Sequence, residues 1–287
     1  MNELGPYYMT FADKAAYAGP KDERGVILLD YFGDIGRQYN PLAIGQYGLG
    51  HYNKYLVSGS KYHLEIAKAQ ADWLVENLKK NDFGFYVWRH KFRWRYKKYL
   101  EPGWLSAHSQ GTGISLLGRM WKATGDERYK DAARRAFESL TVTIDKGGVR
   151  YIDGEGNVWL EEYIVNPPTH ILNGLIWGLW GVYDWWLVSR DERAHQLFIS
   201  CAKTIKNNLS RYDIGFWSRY DLSVQSLPMI ASHFYHQLHI VQLRVMHTLT
   251  GDDVFRSYAN KWEDYEKSWM NRHRALVMKA IFKVLYF

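Results

Sequence analysis

Four segments of the chain share one design, in which an amphipathic helix leads through a short polar turn into a second helix. Consecutive turns are separated by 66, 65 and 61 residues. A unit that recurs at such a period is one helical hairpin, which buries its apolar face by packing against neighbouring hairpins. Two of the turns join a glycine, which favours the end of a helix, to an aspartate that favours the start of the next. The turns fall at Ser60, Asp126, Asp191 and Asp252, and the glycines are Gly125 and Gly251.

The two helices of each hairpin differ in composition. The first is rich in glycine and aromatic residues, as in residues 45–52 (GQYGLGHY) and 174–186 (GLIWGLWGVYDWW), which permits close packing. The second carries charge on one face, which is typical of an outer layer. We therefore predict an all-α fold, an incomplete (α/α) toroid of about four hairpins, over residues 35–270, after an N-terminal extension at residues 1–34. The inner helices of such a toroid begin around one mouth, where long loops gather and ligands bind.

The spacers between the hairpins are long, which favours a functional role. Cations and aromatics alternate strictly over residues 91–97, and period two is a strand signal, so residues 81–104 predict a β-hairpin inserted at the cleft. Residues 147–163 predict a second β-hairpin, with its turn within residues 153–156. A third, irregular spacer covers residues 207–227.

Charge and aromatic content limit the class of partner. The formal net charge is +7, and 16% of the residues are aromatic. A basic chain favours an anionic partner, and nucleic acid, anionic lipid and polyuronic acid all fit that description. Tyrosine and tryptophan supply flat faces on which sugar rings and bases stack. The single cysteine, Cys201, excludes an internal disulfide and a zinc site built from several cysteines.

The two ends of the chain bear on its location. Residues 1–25 lack the apolar core of a signal peptide, and no apolar run approaches the ~20 residues of a membrane-spanning helix, so a cytoplasmic location is expected. The C-terminal tail, residues 271–287, is apolar apart from asparagine, histidine and basic residues. It predicts a helix that packs on the domain or on the partner in a homodimer. A helix lying on a membrane surface is the alternative interpretation.

Three groups of residues are candidates for chemistry. The strand at residues 89–98 combines cations with stacking faces and suits a polyanion; the alternative is an edge strand protected by its charges. In residues 161–163 (EEY) a carboxylate and a phenol can serve as acid and base, or form a solvated acidic loop. Tyr220 and Tyr235 are amphipathic residues at a layer boundary, or a catalytic pair. A tyrosine flanked by several cations can have a lowered pKa and act as a base. Its phenol can equally donate a proton when neutral.

Other familiar catalytic motifs are absent from the sequence. It contains no phosphate-binding loop of Walker type, no GxSxG and no HExxH. The one histidine cluster is His233, His236 and His239. We interpret these as core or loop histidines rather than as metal ligands.

An ordered set of motifs resembles the C-terminal catalytic region of the D-glucuronyl C5-epimerases, which convert glucuronate to iduronate in heparan-type polymers. The motifs span roughly residues 35–265, in the order and with the spacing of that family. They are QYGLGHYNKYL (46–56), PGW (102–104), SAHSQGTGISLLGR (106–119), TGD (124–126) before Tyr129, EEY (161–163), HILNGLIWGLWGVYD (170–184), YDL (220–222) and YHQLHIVQL (235–243).

The resemblance implies roles for particular residues. The catalytic cleft of the family is lined by the residues that correspond here to Glu162, Tyr163, Tyr220 and Tyr235. The family usually has an arginine directly after YDL, whereas this sequence has Ser223. The cation that holds the substrate carboxylate is then expected from Arg219 or from residues 89–98. The expected substrate-binding residues are Tyr39, Gln46, Arg89, Arg93, Trp94, Arg95, Trp104, Gln110, Arg219 and His236.

The expected reaction is C5-epimerisation of D-glucuronate to L-iduronate within an acidic polysaccharide or glycan. The C5–H is removable only when the adjacent carboxylate is neutralised or strongly hydrogen-bonded, and cations stabilise the resulting enolate-like intermediate. Inversion then needs an acid and a base on opposite faces of the ring. We expect Glu162 or Tyr163 on one face and Tyr235 on the other, with Tyr220 in support. Neither a cofactor nor a metal is expected.

Three alternatives stay open from the sequence. A polysaccharide lyase shares the first step but expels the C4 oxygen. A glycoside hydrolase needs two carboxylates across the scissile bond, for which Glu162 would pair with Asp184 or Asp221. A non-catalytic polyanion-binding module would need only the strand at residues 89–98. The partner we expect is an acidic polysaccharide and not nucleic acid.

Overall fold

The structure is a computed structural model that describes residues 3–286. Its helices are α1 (Ala12–Ala15), α2 (Pro41–Ser58), α3 (Lys61–Asn77), α4 (Ala107–Thr124), α5 (Glu127–Thr141), α6 (Leu172–Ser189), α7 (Glu192–Asn208), α8 (His233–Thr250), α9 (Asp253–Lys267) and α10 (Trp269–Tyr286). Its strands are β1 (Leu29–Tyr31), β2 (Gly36–Gln38), β3 (Lys79–Lys80), β4 (Tyr86–Val87), β5 (Trp94–Arg95), β6 (Tyr99–Leu100), β7 (Arg150–Ile152) and β8 (Val158–Leu160).

The four predicted hairpins are confirmed as the pairs α2–α3, α4–α5, α6–α7 and α8–α9. The cap chemistry at their turns follows the sequence. The side chains of Asp126, Asp191 and Asp252 each accept a hydrogen bond from the backbone N–H two residues further on, which starts the outer helix. Gly125 and Gly251 each have φ of 71°, the left-handed conformation that ends the inner helix before them.

The inner helices α2, α4, α6 and α8 pack side by side in chain order, and α3, α5, α7 and α9 form the outer layer. The closest approach is between α4 and α6. A Cβ atom built on Gly111 would lie 2.7 Å from the Cα of Gly178, and one on Gly181 would lie 2.3 Å from the Cα of Gly111. Glycine at these positions lets the two backbones touch, and the result is the predicted incomplete (α/α) toroid.

The N-terminal segment packs across the concave side of the arc. Tyr7 stacks on Trp177 of α6 with ring centroids 5.9 Å apart. The Tyr8 hydroxyl donates to Asp184 Oδ1 at 2.7 Å, and Asp184 also forms a buried ion pair with Arg119 of α4 at 2.6 Å. The described part of the extension, residues 3–34, is therefore built into the toroid.

The spacers form the β-hairpins that the alternating pattern predicts, with shorter strands. β5 and β6 are two residues each. The alternation appears instead in burial, since Phe92 and Tyr96 are buried while Lys91, Arg93 and Arg95 are exposed. β7 pairs with β8 antiparallel as predicted, and the turn covers residues 153–157.

The C-terminal tail forms helix α10, which begins at Trp269 and packs on the domain through one narrow face. Ala275 and Phe282 are buried on that face, and Lys279 Nζ donates to the carbonyl of Ile230 at 2.7 Å. These contacts attach α10 to the domain along that face. No helix within residues 3–286 combines the length and the apolarity needed to cross a membrane.

Candidate active site

A cavity of about 360 Å³ lies where the inner helices begin. Each of the four contributes residues from its first two turns, and the N-terminal segment and the end of β8 complete the wall. The lining residues are Met9, Thr10, Phe11, Ala12, Asp13, Lys14, Leu42, Gln46, His108, Glu162, Tyr163, Asn173, Trp177, Phe234, Tyr235 and Leu238.

Glu162 is the carboxylate at the centre of the cavity wall. It follows β8, and its side chain lies against α6, where Gly174 has no side chain to displace it. A Cβ on Gly174 would come 2.2 Å from Glu162 Oε2. The same oxygen accepts a hydrogen bond from Asn173 Nδ2 at 3.4 Å, and Oε1 lies 3.8 Å from Nδ1 of His108. These contacts hold the carboxylate in place without a lysine or arginine beside it.

The neighbouring Glu161 has a different task. Its carboxylate accepts from His170 Nδ1 at 2.5 Å and from the backbone N–H of His170 at 3.3 Å. His170 adopts a left-handed backbone conformation, with φ of 52°, and stacks on Trp159 at 4.0 Å. Glu161 therefore fixes the turn into α6, and only Glu162 of the pair faces the cavity.

Three tyrosines stand close to Glu162. The rings of Tyr220 and Tyr235 lie 4.9 Å apart. Burial and the charge of Glu162 raise the pKa of Tyr235 to about 12. The same two causes raise the pKa of Tyr163 and of Tyr220 well above the ordinary tyrosine value.

Of the two states that the sequence leaves open for these tyrosines, the raised pKa values favour the neutral phenol. Burial disfavours the phenolate, and the nearby carboxylate repels it, so both effects act in the same direction. All three phenols are therefore neutral at physiological pH and available as proton donors. Glu162 is the buried carboxylate beside them.

Helix ends and one lysine supply positive charge at the cavity. The beginning of a helix carries a partial positive charge, and four helices begin at this cavity. Lys14 is the one lysine or arginine that lines the cavity within residues 3–286. Its side chain is exposed and makes neither an ion pair nor a hydrogen bond with the residues that the structure describes. An anionic group at the mouth would therefore meet both the helix ends and the side chain of Lys14.

Two of the predicted binding tryptophans line a smaller pocket beside the cavity, which shares Leu42, Glu162 and Tyr163 with it. Trp94 and Tyr163 pack against the same apolar cluster. Trp104 stacks on His90 with ring centroids 3.7 Å apart. These aromatic faces extend the cavity on the Glu162 side. Of the predicted polar residues, Gln46 lines the main cavity.

Arg89 and Tyr39 line a separate basic groove of about 370 Å³, next to the small pocket. Tyr39 stacks on Trp73 at 5.3 Å and forms the aromatic floor. Adjacent residues alternate between the two sites, since Arg89 and Lys91 line the groove while His90 lines the small pocket. One extended segment therefore separates the basic groove from the catalytic side. The groove's cations are Arg24, Lys79, Lys80, Arg89 and Lys91.

The structure places two predicted binding residues in the core. Gln110 is fully buried, and its side-chain amide pairs with both the N–H and the carbonyl of Trp88, at 3.1 and 2.7 Å. His236 is fully buried between Ser218 and the carbonyl of Trp262, at 2.8 and 2.9 Å. Neither lines a described cavity, because the polar atoms of both are committed to holding loops on helices.

The remaining predicted cations also face away from Glu162. Arg93 pairs with Glu101 at 3.1 Å, and Arg95 is exposed. Arg219 donates to the carbonyl of Ser223 at 3.0 Å and does not line the cavity. The carboxylate-holding cation that was expected from Arg219 or residues 89–98 is thus not found at the cavity, and Lys14 is the cation there.

At Ser223, where the family usually has arginine, a lysine supplies the charge from another segment. Lys97 Nζ forms an ion pair with the buried carboxylate of Asp221 at 3.0 Å, contacts the Ser223 hydroxyl and donates to Gln225 at 2.9 Å. Tyr96 also donates to Asp221, at 2.5 Å. The β5–β6 hairpin is thereby fastened to the loop that carries Tyr220.

Several cavity residues were missed by sequence reasoning. His108, Asn173 and Trp177 each have one buried polar atom without a protein partner, namely Nδ1, Oδ1 and Nε1. Polar atoms of this kind are the ones that sugar hydroxyls can satisfy. Their position along the helices was the signal that could have found two of them. His108 and Asn173 are the second residues of α4 and α6, and Tyr235 lies in the corresponding turn of α8.

No group of three or more histidine, cysteine, aspartate or glutamate side chains within residues 3–286 is arranged to hold a metal ion. The histidine cluster noted in the sequence has other surroundings. His236 and His239 share the hydroxyl of Ser218, at 2.8 and 3.0 Å, and His233 is exposed.

Comparison with known proteins points to one family. The family model for the C-terminus of D-glucuronyl C5-epimerase matches residues 80–264. A D-glucuronyl C5-epimerase of Caenorhabditis elegans is 32% identical over 229 residues, which cover 74% of this chain and 36% of the worm protein. An uncharacterized protein of Methanocaldococcus jannaschii is 30% identical over 203 residues, covering 70% of this chain and 64% of that protein. The chain thus spans less than two thirds of either relative.

Among solved structures, a cellobiose 2-epimerase from Bacillus thermoamylovorans superposes with a TM-score of 0.59 over 90% of this chain and 68% of its own. The sequence identity is 11%, so this likeness establishes the (α/α) toroid and nothing about substrate.

Proposed function

Since the chain belongs to the D-glucuronyl C5-epimerase family, we propose that it inverts C5 of D-glucuronate residues in an acidic polysaccharide or glycan. One observation carries the proposal. A buried carboxylate, Glu162, shares a cavity with phenols that burial keeps neutral, Tyr163 and Tyr235, so that a base and a proton donor lie together.

The first step is removal of the C5 proton. The uronate carboxylate lies at the positive ends of the inner helices, with Lys14 beside it, and its charge is partly neutralised there. One oxygen of Glu162 takes the proton from C5. The C–H electron pair moves into the carboxylate to give an enolate-like dianion, which the same positive groups stabilise.

The second step returns a proton to the other face of the ring. The Tyr235 hydroxyl protonates C5, the electron pair returns from the enolate to form the new C–H bond, and the phenolate left behind accepts a hydrogen bond from Tyr220. After one turnover Glu162 is protonated and Tyr235 is ionised. A proton passes from the one to the other to reset the site, and His108, 3.8 Å from Glu162, is placed to assist.

The rest of the polymer has a surface to follow. The basic groove of Arg24, Lys79, Lys80, Arg89 and Lys91 lies one extended segment away from the small pocket and has an aromatic floor. Carboxylated or sulfated sugars on one side of the reacting uronate suit this combination of cations and stacking faces. Arg89 and Tyr39 then bind substrate there rather than at the reacting ring.

The experiment is proton NMR of a glucuronate polymer of heparosan type, incubated with the protein in deuterated water. We expect deuterium at C5 and the appearance of iduronate signals. Glu162→Gln removes the base and Tyr235→Phe removes the donor, and each should lower the rate by about 10²–10⁴-fold. Tyr62→Phe, an exposed tyrosine on α3, is the matched control and should leave the rate unchanged.

Each other outcome is informative. Signals of an unsaturated uronate would identify a lyase, because the same first step would then end in loss of the C4 oxygen. Exchange at C5 that persists in both variants would remove Glu162 and Tyr235 from the mechanism. Binding of the polymer without any exchange would favour a non-catalytic module.

A further inference from the structure

Helix α10 exposes an apolar face, interrupted by the exposed His273, on the side opposite to the one that packs on the domain. Exposed fractions are 64% for Trp269, 69% for Leu276, 58% for Val277 and 85% for Val284. At about 100° per residue these side chains fall on one side of the helix axis, and Ala275 and Phe282, the buried positions, fall on the other. A face of this size is unusual on a protein that has no partner for it.

The charges of α10 are of one sign. Arg272, Arg274, Lys279 and Lys283 are its four cations, and residues 268–287 contain no aspartate or glutamate. Arg272 and Lys283 lie along one edge of the apolar face and Arg274 along the other, by the same helical geometry. Lys283 is exposed and makes no ion pair or hydrogen bond with the described part of the chain.

We propose that α10 docks the protein on the surface of an anionic lipid membrane. An apolar stripe with tryptophan at its border, flanked by cations and free of acids, is the pattern of a helix that lies in the plane of a lipid interface. The stripe enters the boundary between headgroups and acyl chains, and the flanking cations contact the acidic headgroups. This inference does not depend on the proposed reaction.

A second copy of the chain suits the face less well. In a symmetric dimer formed through α10, the cations of both helices would lie along the same interface. Neither helix has a carboxylate to pair with them. Repulsion between like charges would oppose that contact. An anionic lipid surface supplies the opposite charge along the whole helix.

The position of α10 brings the membrane near the catalytic elements. Lys279 donates to the carbonyl of Ile230, and Ile230 is bridged to Arg219, directly before Tyr220. The backbone N–H of Tyr220 donates to the neighbouring Met229 carbonyl at 2.8 Å. A docked α10 would hold the Tyr220 side of the cavity close to the lipid surface, where a glycan attached to a lipid would be presented.

Flotation of the full chain with vesicles tests the proposal. We expect the protein to float with vesicles of phosphatidylcholine and phosphatidylglycerol mixed at about two to one, and not with phosphatidylcholine alone. Val277→Glu with Val284→Glu should abolish flotation. The matched control is Leu56→Glu with Val57→Glu, two exposed apolar residues at the end of α2, which should float like the parent. Lys283→Gln should weaken binding about fivefold.

Analytical ultracentrifugation of the same proteins, without lipid, decides between the occupants. A dimer that becomes monomeric in the Val277→Glu, Val284→Glu protein would show that a second copy covers the face and would overturn the proposal. Absence of flotation by the parent protein, or equal flotation with both kinds of vesicle, would overturn it too. Circular dichroism checks that the variants are folded, which the exposure of both positions leads us to expect.

Discussion

At the scale of single residues, the chemical character of the site depends on which of its titratable groups are protonated. A buried carboxylate raises the pKa of each tyrosine around it, so the phenols become donors. None of the cations of residues 89–98 lines the cavity of Glu162, where Lys14 and the beginnings of four helices lie. The cavity thus combines a buried carboxylate with neutral phenols, helix ends and an exposed lysine.

Lys14 gives the first prediction. Lys14→Gln should raise KM for the polymer about tenfold, because a charged contact to the uronate carboxylate is lost, and kcat should fall as well if the enolate is stabilised by the same charge. Lys14→Arg keeps the charge and should recover most of the loss. Steady-state kinetics of both variants measure the split between KM and kcat. Identical kinetics for Lys14→Gln and the parent would place the carboxylate elsewhere.

Buried histidines give the second prediction. Burial lowers the pKa of His90 and His239 to about 3 and that of His236 to about 4, against about 6.5 in the unfolded chain. Below pH 6.5 the unfolded state therefore takes up protons that the folded state cannot. Stability is complete above that pH and falls toward pH 4, by up to about 1.4 kcal/mol per pH unit for each histidine.

Thermal unfolding between pH 7.5 and pH 4.5 measures this slope. His239→Gln removes one of these titrating groups and should make the dependence of Tm on pH shallower, even if it lowers Tm at pH 7.5. A Tm that does not change across the range would show that these rings are not buried in solution.

The sequence predicted which residues form the site more successfully than it predicted the contacts that their side chains make. Glu162, Tyr163 and Tyr235 line one cavity, as the motifs imply. Gln110 and His236 lie in motifs of the same kind, yet their side chains hold Trp88 and Trp262. A motif does not distinguish a residue that touches substrate from one that supports the fold, because both roles require a polar side chain at one position of the chain.

At the scale of elements, periodicity predicted the helices and missed the lengths of the strands. The four turns lie where glycine, aspartate and serine place them. In residues 91–97 the alternation describes which side chains are buried, but ladder pairing is limited to Trp94–Arg95. The side chains there bind to other segments, as Lys97 does to Asp221, and so keep the chain extended without a partner strand.

The contact between α4 and α6 gives the third prediction. Gly111→Ala places a methyl group against the backbone of Gly178, which cannot move aside, and should cost about 1–3 kcal/mol. Gly118→Ala, on the same helix, meets the flexible side chain of Val188 at 3.1 Å and should be neutral or stabilising by up to about 1 kcal/mol. Chemical denaturation of both variants makes the comparison. Equal stability of the two would contradict the close backbone contact.

At the scale of the whole molecule, four hairpins leave the concave side of the arc open, and the N-terminal segment fills it. Residues 9–14 form part of the cavity wall, and Tyr7 and Tyr8 anchor the segment on α4 and α6. This docking was beyond prediction from sequence, since the segment has no periodicity and its partners lie far along the chain.

Tyr8→Phe gives the fourth prediction. It leaves the buried Asp184 without one of its donors, which should cost about 1–2 kcal/mol and lower Tm by roughly 2–8 °C. The rate of epimerisation should fall too, since residues 9–14 carry Lys14 and follow the anchor. Tyr62→Phe serves again as the control. An unchanged Tm would mean that the segment is not docked on Asp184 in solution.

The docking of the N-terminal segment also orders events in time. Tyr8 leaves the ribosome well before its partner Asp184, which is made 176 residues later. Until α6 has emerged, the segment has no place to bind, and the cavity lacks one of its walls. The hairpins can form as they are synthesised, because their contacts are local, whereas this long-range closure must wait. A nascent chain therefore carries its helices well before it carries a finished site.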